Sequence, residues 1–260
     1  MNLKPQILKF LGHNEPYCFI KKAIGNQALP NTPVRGQLSM SELNLPKQLD
    51  LKIDKYLLEI VKILNEPIVN LQFNIDSYDL ENWSKHLAFH YDRGARFTVL
   101  ATLRGLSNKF TAIIPINNII DHLPDKKVAL ELCKAQYGSE LNLSKPNFPV
   151  MELHCGKYVL SSSIIDQGLE FKDLIGLNKK AQEALCTLLS TITLLDEAIL
   201  DKEITQWPKE YSKFGAVGFN LLEGDILILN NKMILHGRTC GYVEIPHLNR
   251  WLRVIFLGRV

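Results

Sequence analysis

The sequence lacks any CxxC pair. Its five cysteines, Cys18, Cys133, Cys155, Cys186 and Cys240, stand far apart and are odd in number. Neither a disulfide framework nor a zinc ribbon is indicated. Each thiol reads as a small buried hydrophobe, and a reducing, cytoplasmic setting is the default expectation. Also lacking is an apolar run near the roughly 18 residues that span a bilayer, so no membrane partner is expected. The first residues, MNLKPQILKFLGHNEPY, hold no long apolar stretch ahead of a small-residue cleavage site, so a secretory leader is not expected. Charge of one sign is scarce too. Thirty basic against 27 acidic residues leave +3, too slight to imply a nucleic-acid partner. No repeat, low-complexity tract or long charge run appears.

What is present is an ordinary globular composition, 46% hydrophobic and 22% charged over 260 residues. It excludes disorder, collagen and coiled coil, and it can bury a sizeable core in a single domain. The first 45 or so residues, rich in Pro, Asn and Gly, read as irregular. From Asp54 onward the apolar spacing of Leu57, Leu58, Val61 and Leu64 turns helical, and Pro67 ends it. A second helical region covers Asn117 to Tyr137 with an interruption at Pro124. The longest helix should start at Asn178, a good cap, with Ala181, Leu185, Leu188, Leu189 and Ile192 on one face. Between helices lie short β-like runs: Arg96–Leu103, Phe110–Pro115, Pro149–His154, Lys157–Ser163, Ala216–Leu221, Asp225–Leu229, Lys232–His236 and Trp251–Leu257. Strands split into two groups by helical insertions argue against a regular βαβ repeat. They suit a mainly β fold with peripheral helices, a two-sheet barrel or jelly roll.

Two places carry chemistry. Phe89-His90-Tyr91-Asp92 precedes the strand RFTVLATL, and on extended backbone residues i and i+2 share a face, so His90 and Asp92 can converge. Far downstream, His236 ends an apolar strand and Arg250 follows fourteen residues later. Two imidazoles and one carboxylate make the facial triad of non-haem Fe(II) oxygenases. A lone HxD is a weak signal. The added Gly-Asp-led strand, distal His and following Arg make the combination far more specific.

The stretch GDILILNNKMILHGR followed by RWLRV resembles the C-terminal signature of Fe(II)- and 2-oxoglutarate-dependent dioxygenases, in particular the taurine dioxygenase and clavaminate synthase-like group. The resemblance covers about residues 83–260. It implies a double-stranded β-helix (jelly roll) and a single dioxygenase domain, 1–260. Within it, 1–82 would be a helical or irregular N-terminal part and 83–260 a jelly-roll core with helical insertions. It implies that His90, Asp92 and His236 ligate Fe(II), leaving positions for 2-oxoglutarate and dioxygen. It further implies that Arg250 holds the far carboxylate of 2-oxoglutarate through a permanently charged fork, assisted by the hydroxyl of Thr111.

Arg253 lies three residues past Arg250 and should point to the opposite face of a strand. Arg238, directly after His236-Gly237, is common in the clavaminate-like subgroup and is a candidate to meet substrate. That subgroup often places a second arginine four residues after the first, holding a substrate carboxylate; here that position is Val254. Arg93, Arg96, Arg238 and Arg253 are therefore the candidate substrate residues. His13, His86, His122, His154 and His247 have no partner at ligand spacing and read as surface or satisfied histidines. The implied activity is hydroxylation of a C–H bond of a small molecule, an amino acid or a derivative of one. Desaturation, cyclisation or epimerisation on the same cofactors, or a metal-free jelly-roll binding protein, are the alternatives. Relatives that halogenate carry Gly or Ala at the carboxylate position, so Asp92 points to hydroxylation.

Overall fold

Alternation along the strands decides the architecture. In the computed structural model, which describes residues 3–23, 47–75, 86–105, 109–139, 147–241 and 250–258, thirteen strands are present among those residues. Nine of them form two antiparallel sheets. The larger has the order β1 (Tyr17–Ile20), β11 (Ile226–Asn230), β4 (Phe97–Arg104), β13 (Trp251–Leu257) and β2 (Ile68–Ile75). The smaller runs β10 (Val217–Phe219), β5 (Thr111–Pro115), β12 (Ile234–Arg238) and β3 (Leu87–His90).

Each strand offers one set of side chains inward and the other outward. Leu100 of β4, Leu227 and Leu229 of β11, and Leu252 and Val254 of β13 meet Ile113 and Ile234 of the smaller sheet in one buried cluster. The sheets therefore face each other. The intervening residues Val99, Ala101, Ile226, Ile228, Trp251 and Ile255 point the other way, against α1 (Lys4–Gly12) and α2 (Lys47–Leu64). On the outside of the smaller sheet, Ala112, Ile114, Phe89 and Leu235 pack on the remaining helices. These are α3 (Ile116–Asp121), α4 (Lys126–Leu132), α5 (Ser162–Asp166) and the 21-residue α6 (Lys179–Ile199). The Asn178 side chain caps α6 by accepting from the Ala181 amide at 3.0 Å, as its position in the sequence predicts.

Near-continuous apolar runs such as ILILN in β11 follow from burial on both faces. β1 and β2 come from the stretch read as helical or irregular in sequence, and each forms an edge of the larger sheet. β2 carries its own signal: Leu71-Gln72-Phe73-Asn74-Ile75 alternates strictly between apolar and polar residues. The helical region 117–137 is two short helices separated at Pro124. Every one of the five cysteines is free.

Candidate active site

The site begins as a strand-pairing fact. In the register of β12 against β3, His236 stands opposite His90, and a shift in that register follows immediately, between His236 and Arg238. Gly237 permits the approach: a Cβ there would lie 2.6 Å from the Leu87 carbonyl oxygen and 2.7 Å from Leu200 Cδ1. The two imidazole centroids are 4.3 Å apart.

Asp92, two residues past His90, completes the group. Its Oδ1 lies 3.9 Å from His90 Nε2 and its Oδ2 3.4 Å from His236 Nε2. All three ligand atoms fall within 4.8 Å of one another. His90 Nδ1 lies 2.8 Å from the Ala88 carbonyl oxygen. That carbonyl can only accept, so Nδ1 carries a proton and Nε2 is the ring nitrogen turned toward Asp92. The carboxylate is held as well. Thr98 donates its hydroxyl to Asp92 Oδ2 at 2.5 Å, and the buried Asn231 amide donates to Thr98 at 2.9 Å and to the Ala95 carbonyl at 3.1 Å.

Burial pushes the His236 pKa down to about 4; Asp92 opposes this, while His90 and Arg250 add to it. The imidazole is thus neutral near pH 7, the state in which a ring nitrogen can donate a lone pair to a metal. Two imidazole nitrogens and one carboxylate oxygen, with His90 and Asp92 each oriented by a second group, fit a divalent iron of the facial-triad kind.

A cavity of ≈ 80 Å³ opens from this group into the space between the sheets, lined among others by Thr98, Thr111, Arg238, Arg250, Val254 and Phe256. Arg250 is buried, and its Nη2 donates to Thr111 Oγ1 at 2.6 Å. Alternation along β13 explains the placement. Leu252 and Val254 face inward, and Arg253 between them pairs with Ala101 on the outward face. The first four candidates (His90, Asp92, His236, Arg250) and Thr111 are therefore brought together, with Arg238 beside them, and Arg253 is not.

On the other side of His90 and Asp92 lies a larger cavity of ≈ 420 Å³, lined by Phe89, Tyr91, Arg93, Glu170, Lys172, Leu189 and others. Arg93 and Lys172 both reach Glu170, at 3.1 and 2.6 Å. Arg96 turns away from both cavities to Glu66 at 2.6 Å. Thr98, Asn231 and Glu170 are the site residues that sequence reading missed. Thr98 sits inside an apolar strand with no pattern to mark it, and only cross-strand packing reveals it. Of the remaining histidines, His122 meets the Asn118 carbonyl at 2.6 Å and His86 pairs with Asp201 at 3.3 Å, while His247 lies outside the described residues.

No family model matches the sequence, and none of the curated proteins does. Solved structures do match. Asparagine oxygenase in complex with Fe(II), 2S,3S-3-hydroxyasparagine and succinate superposes with a TM-score of 0.64 at 17% identity, over 98% of this chain and 79% of that one. The non-haem iron oxygenase OrfP in complex with Fe gives a TM-score of 0.68 at 15% identity, over 99% and 79%. OrfP with Fe and alpha-ketoglutaric acid gives 0.67 at 14% identity, over 99% and 80%. The chain has the fold of these non-haem iron oxygenases.

Proposed function

We propose that this protein is an Fe(II)- and 2-oxoglutarate-dependent dioxygenase of the taurine dioxygenase/clavaminate synthase type, built as one jelly-roll domain. Its reaction would be hydroxylation of a C–H bond of an amino acid or an amino-acid-derived metabolite. The observation that carries this reading is the meeting of two charge-complementary features in one small cavity. One is the His90–Asp92–His236 group; the other is the buried Arg250–Thr111 pair.

His90, Asp92 and His236 would hold the iron. When bound, iron with 2-oxoglutarate and dioxygen supplies an oxidant strong enough for an unactivated C–H bond. The chain's own residues do the rest. The Ala88 carbonyl fixes the His90 tautomer, and Thr98 fixes the carboxylate. Arg250 offers its fork to the distal carboxylate of 2-oxoglutarate, with the Thr111 hydroxyl beside it. Leu100, Leu252, Val254 and Phe256 form the apolar part of the inner cavity's wall, which would limit water beside the charged contacts and so strengthen them.

Substrate would enter from the larger cavity, which shares His90 and Asp92 with the inner one. Its rim carries Arg93 and Lys172 around Glu170, so both signs of charge are available to a zwitterion. This suits a chain in which Val254 replaces the carboxylate-binding arginine of the clavaminate-like subgroup. Arg238 is the other candidate for substrate contact, since it lines the inner cavity. Support for an amino-acid substrate comes from the structural neighbours, whose crystals hold hydroxyasparagine or arginine. Five free cysteines agree with a cytoplasmic setting, and no helix among the described residues is long and apolar enough to cross a membrane.

The test is a succinate-release screen of free amino acids with iron and 2-oxoglutarate, followed by mass spectrometry. A product heavier by one oxygen atom is expected. An iron-loaded protein that binds 2-oxoglutarate yet releases succinate with no amino acid would remove the amino-acid reading.

A further inference from the structure

A second group of metal-ligating side chains lies beyond the other end of β3. His86 stands one residue before that strand, Asp201 two residues after α6, and Cys240 two residues after β12. Their imidazole nitrogen, carboxylate oxygen and thiol sulfur all fall within 4.8 Å of one another. Backbone contacts hold the three segments in place. The Cys240 amide donates to the Leu200 carbonyl at 3.1 Å, Cys240 bridges Glu203 in parallel, and Arg238 pairs with Leu87. Convergence of three separate elements thus follows from the fold rather than from long side chains reaching out.

We propose that His86, Asp201 and Cys240 form a second metal site, for a borderline-soft divalent cation of the zinc class. Geometry and donor chemistry both support it. His86 Nδ1 and Asp201 Oδ1 are 3.3 Å apart. Two ligands on a tetrahedral zinc, with bonds near 2.0 Å, also stand about 3.3 Å apart. A sulfur beside an imidazole and a carboxylate disfavours magnesium or calcium, which take oxygen donors, and suits zinc. Cys240 is buried while Asp201 is largely exposed, so the cluster opens to solvent on its carboxylate side, where water can fill the fourth position. Burial first, then Asp201, push the Cys240 thiol pKa up, and a hydrogen bond from the His86 backbone opposes them, so a cation here would bind in competition with a proton.

An ion pair between His86 and Asp201, with the thiol held only by the His86 backbone, is the simpler alternative. Metal bound through sulfur separates the two, and it also separates a metal here from one at the His90–Asp92–His236 group, which contains no sulfur. A cation here would staple together the ends of β3, α6 and β12, the first and last of which carry His90 and His236. The inference does not depend on iron at the first site.

The experiment titrates metal-free, full-length protein with Co²⁺ and follows sulfur-to-cobalt charge-transfer absorption in the near-ultraviolet. The band should appear in the wild type and saturate at one equivalent per chain. It should persist in His236→Ala and in Cys155→Ser, which removes an exposed thiol. Cys240→Ser should abolish it, and His86→Gln should weaken binding by about tenfold or more. Zn²⁺ should displace the band and raise the melting temperature of the wild type but not of Cys240→Ser. Cobalt binding without a charge-transfer band in the wild type would overturn the proposal, whether or not any variant folds. So would a band that survives Cys240→Ser.

Discussion

Removing the Arg250 guanidinium should cripple 2-oxoglutarate binding while removing that of Arg253 should not. Both arginines are buried and they sit three residues apart, so composition and burial cannot separate them. Facing does. Arg250 opens onto the inner cavity and donates to Thr111, whereas Arg253 pairs with Ala101 on the helix-covered face. Losing one partner of a desolvated charge pair costs about 2–5 kcal/mol. At about 1.4 kcal/mol per decade, Arg250→Ala should weaken 2-oxoglutarate by about 30-fold to about 4,000-fold. Thr111→Val removes one hydroxyl beside a charged group, worth about 1.5–3 kcal/mol, or about tenfold to about 150-fold. Arg253→Ala should cost fold stability through lost packing but leave the affinity within about twofold. Anaerobic equilibrium dialysis of 2-oxoglutarate against iron-loaded protein measures all three, with thermal melts run alongside. Arg250→Lys guards against misfolding, since it keeps the charge and loses only the fork. If Arg253→Ala weakens 2-oxoglutarate and Arg250→Ala does not, the facing argument is wrong.

Four further outcomes are expected. His236→Ala should lose iron, measured by metal analysis after reconstitution, with an unchanged circular dichroism spectrum; full iron occupancy would dismiss the triad. Thr98→Val frees the Asp92 carboxylate and removes one of the Asn231 amide's two acceptors, so iron affinity should drop about 10–100-fold with the proposed ligands intact. Gly237→Ala drives a methyl group to within 2.6 Å of the Leu87 carbonyl oxygen. It should destabilise the fold by about 1–3 kcal/mol in urea and lower iron affinity together, because the same strand contact sets the His90–His236 pairing. Turnover in chloride-containing buffer should give product masses raised by one oxygen and none raised by chlorine, since on the proposed reading Asp92 would supply the third ligand.

Much of the fold was legible because burial on two faces leaves long apolar strands that local sequence displays. β4, β5, β11, β12 and β13 all fall within a residue or two of the runs RFTVLATL, FTAIIP, DILIL, KMILH and WLRVIFL. The helix after Asn178 was legible from its cap and its stripe. β1 and β3 were not, for a different reason. Each has four residues, too few for a period to show, and each is an edge strand whose form is imposed by its neighbour. β2 shows the opposite failure, since its alternation was present and its Asn and Gln obscured it.

The site divides along the same line. Candidate liganding residues are legible when chemistry limits them to few types at fixed spacing. His90 and Asp92 are two apart, and His236 comes at the end of a strand with Arg250 on the next. Residues that orient them are not so limited. A backbone carbonyl like that of Ala88 belongs to every amino acid, and Thr98 and Asn231 are ordinary residues whose value comes only from the turn after β11 meeting β4 across 133 positions. The same holds for His86, which reads as an isolated histidine until α6 and β12 deliver Asp201 and Cys240 to it. Pairing across the sheet therefore decides which polar residues act together, and the facing of β13 shows how sharply. A single register slip in that strand would exchange the inward and outward sets. Arg253 would then face the cavity and Arg250 the helices, with no change in composition.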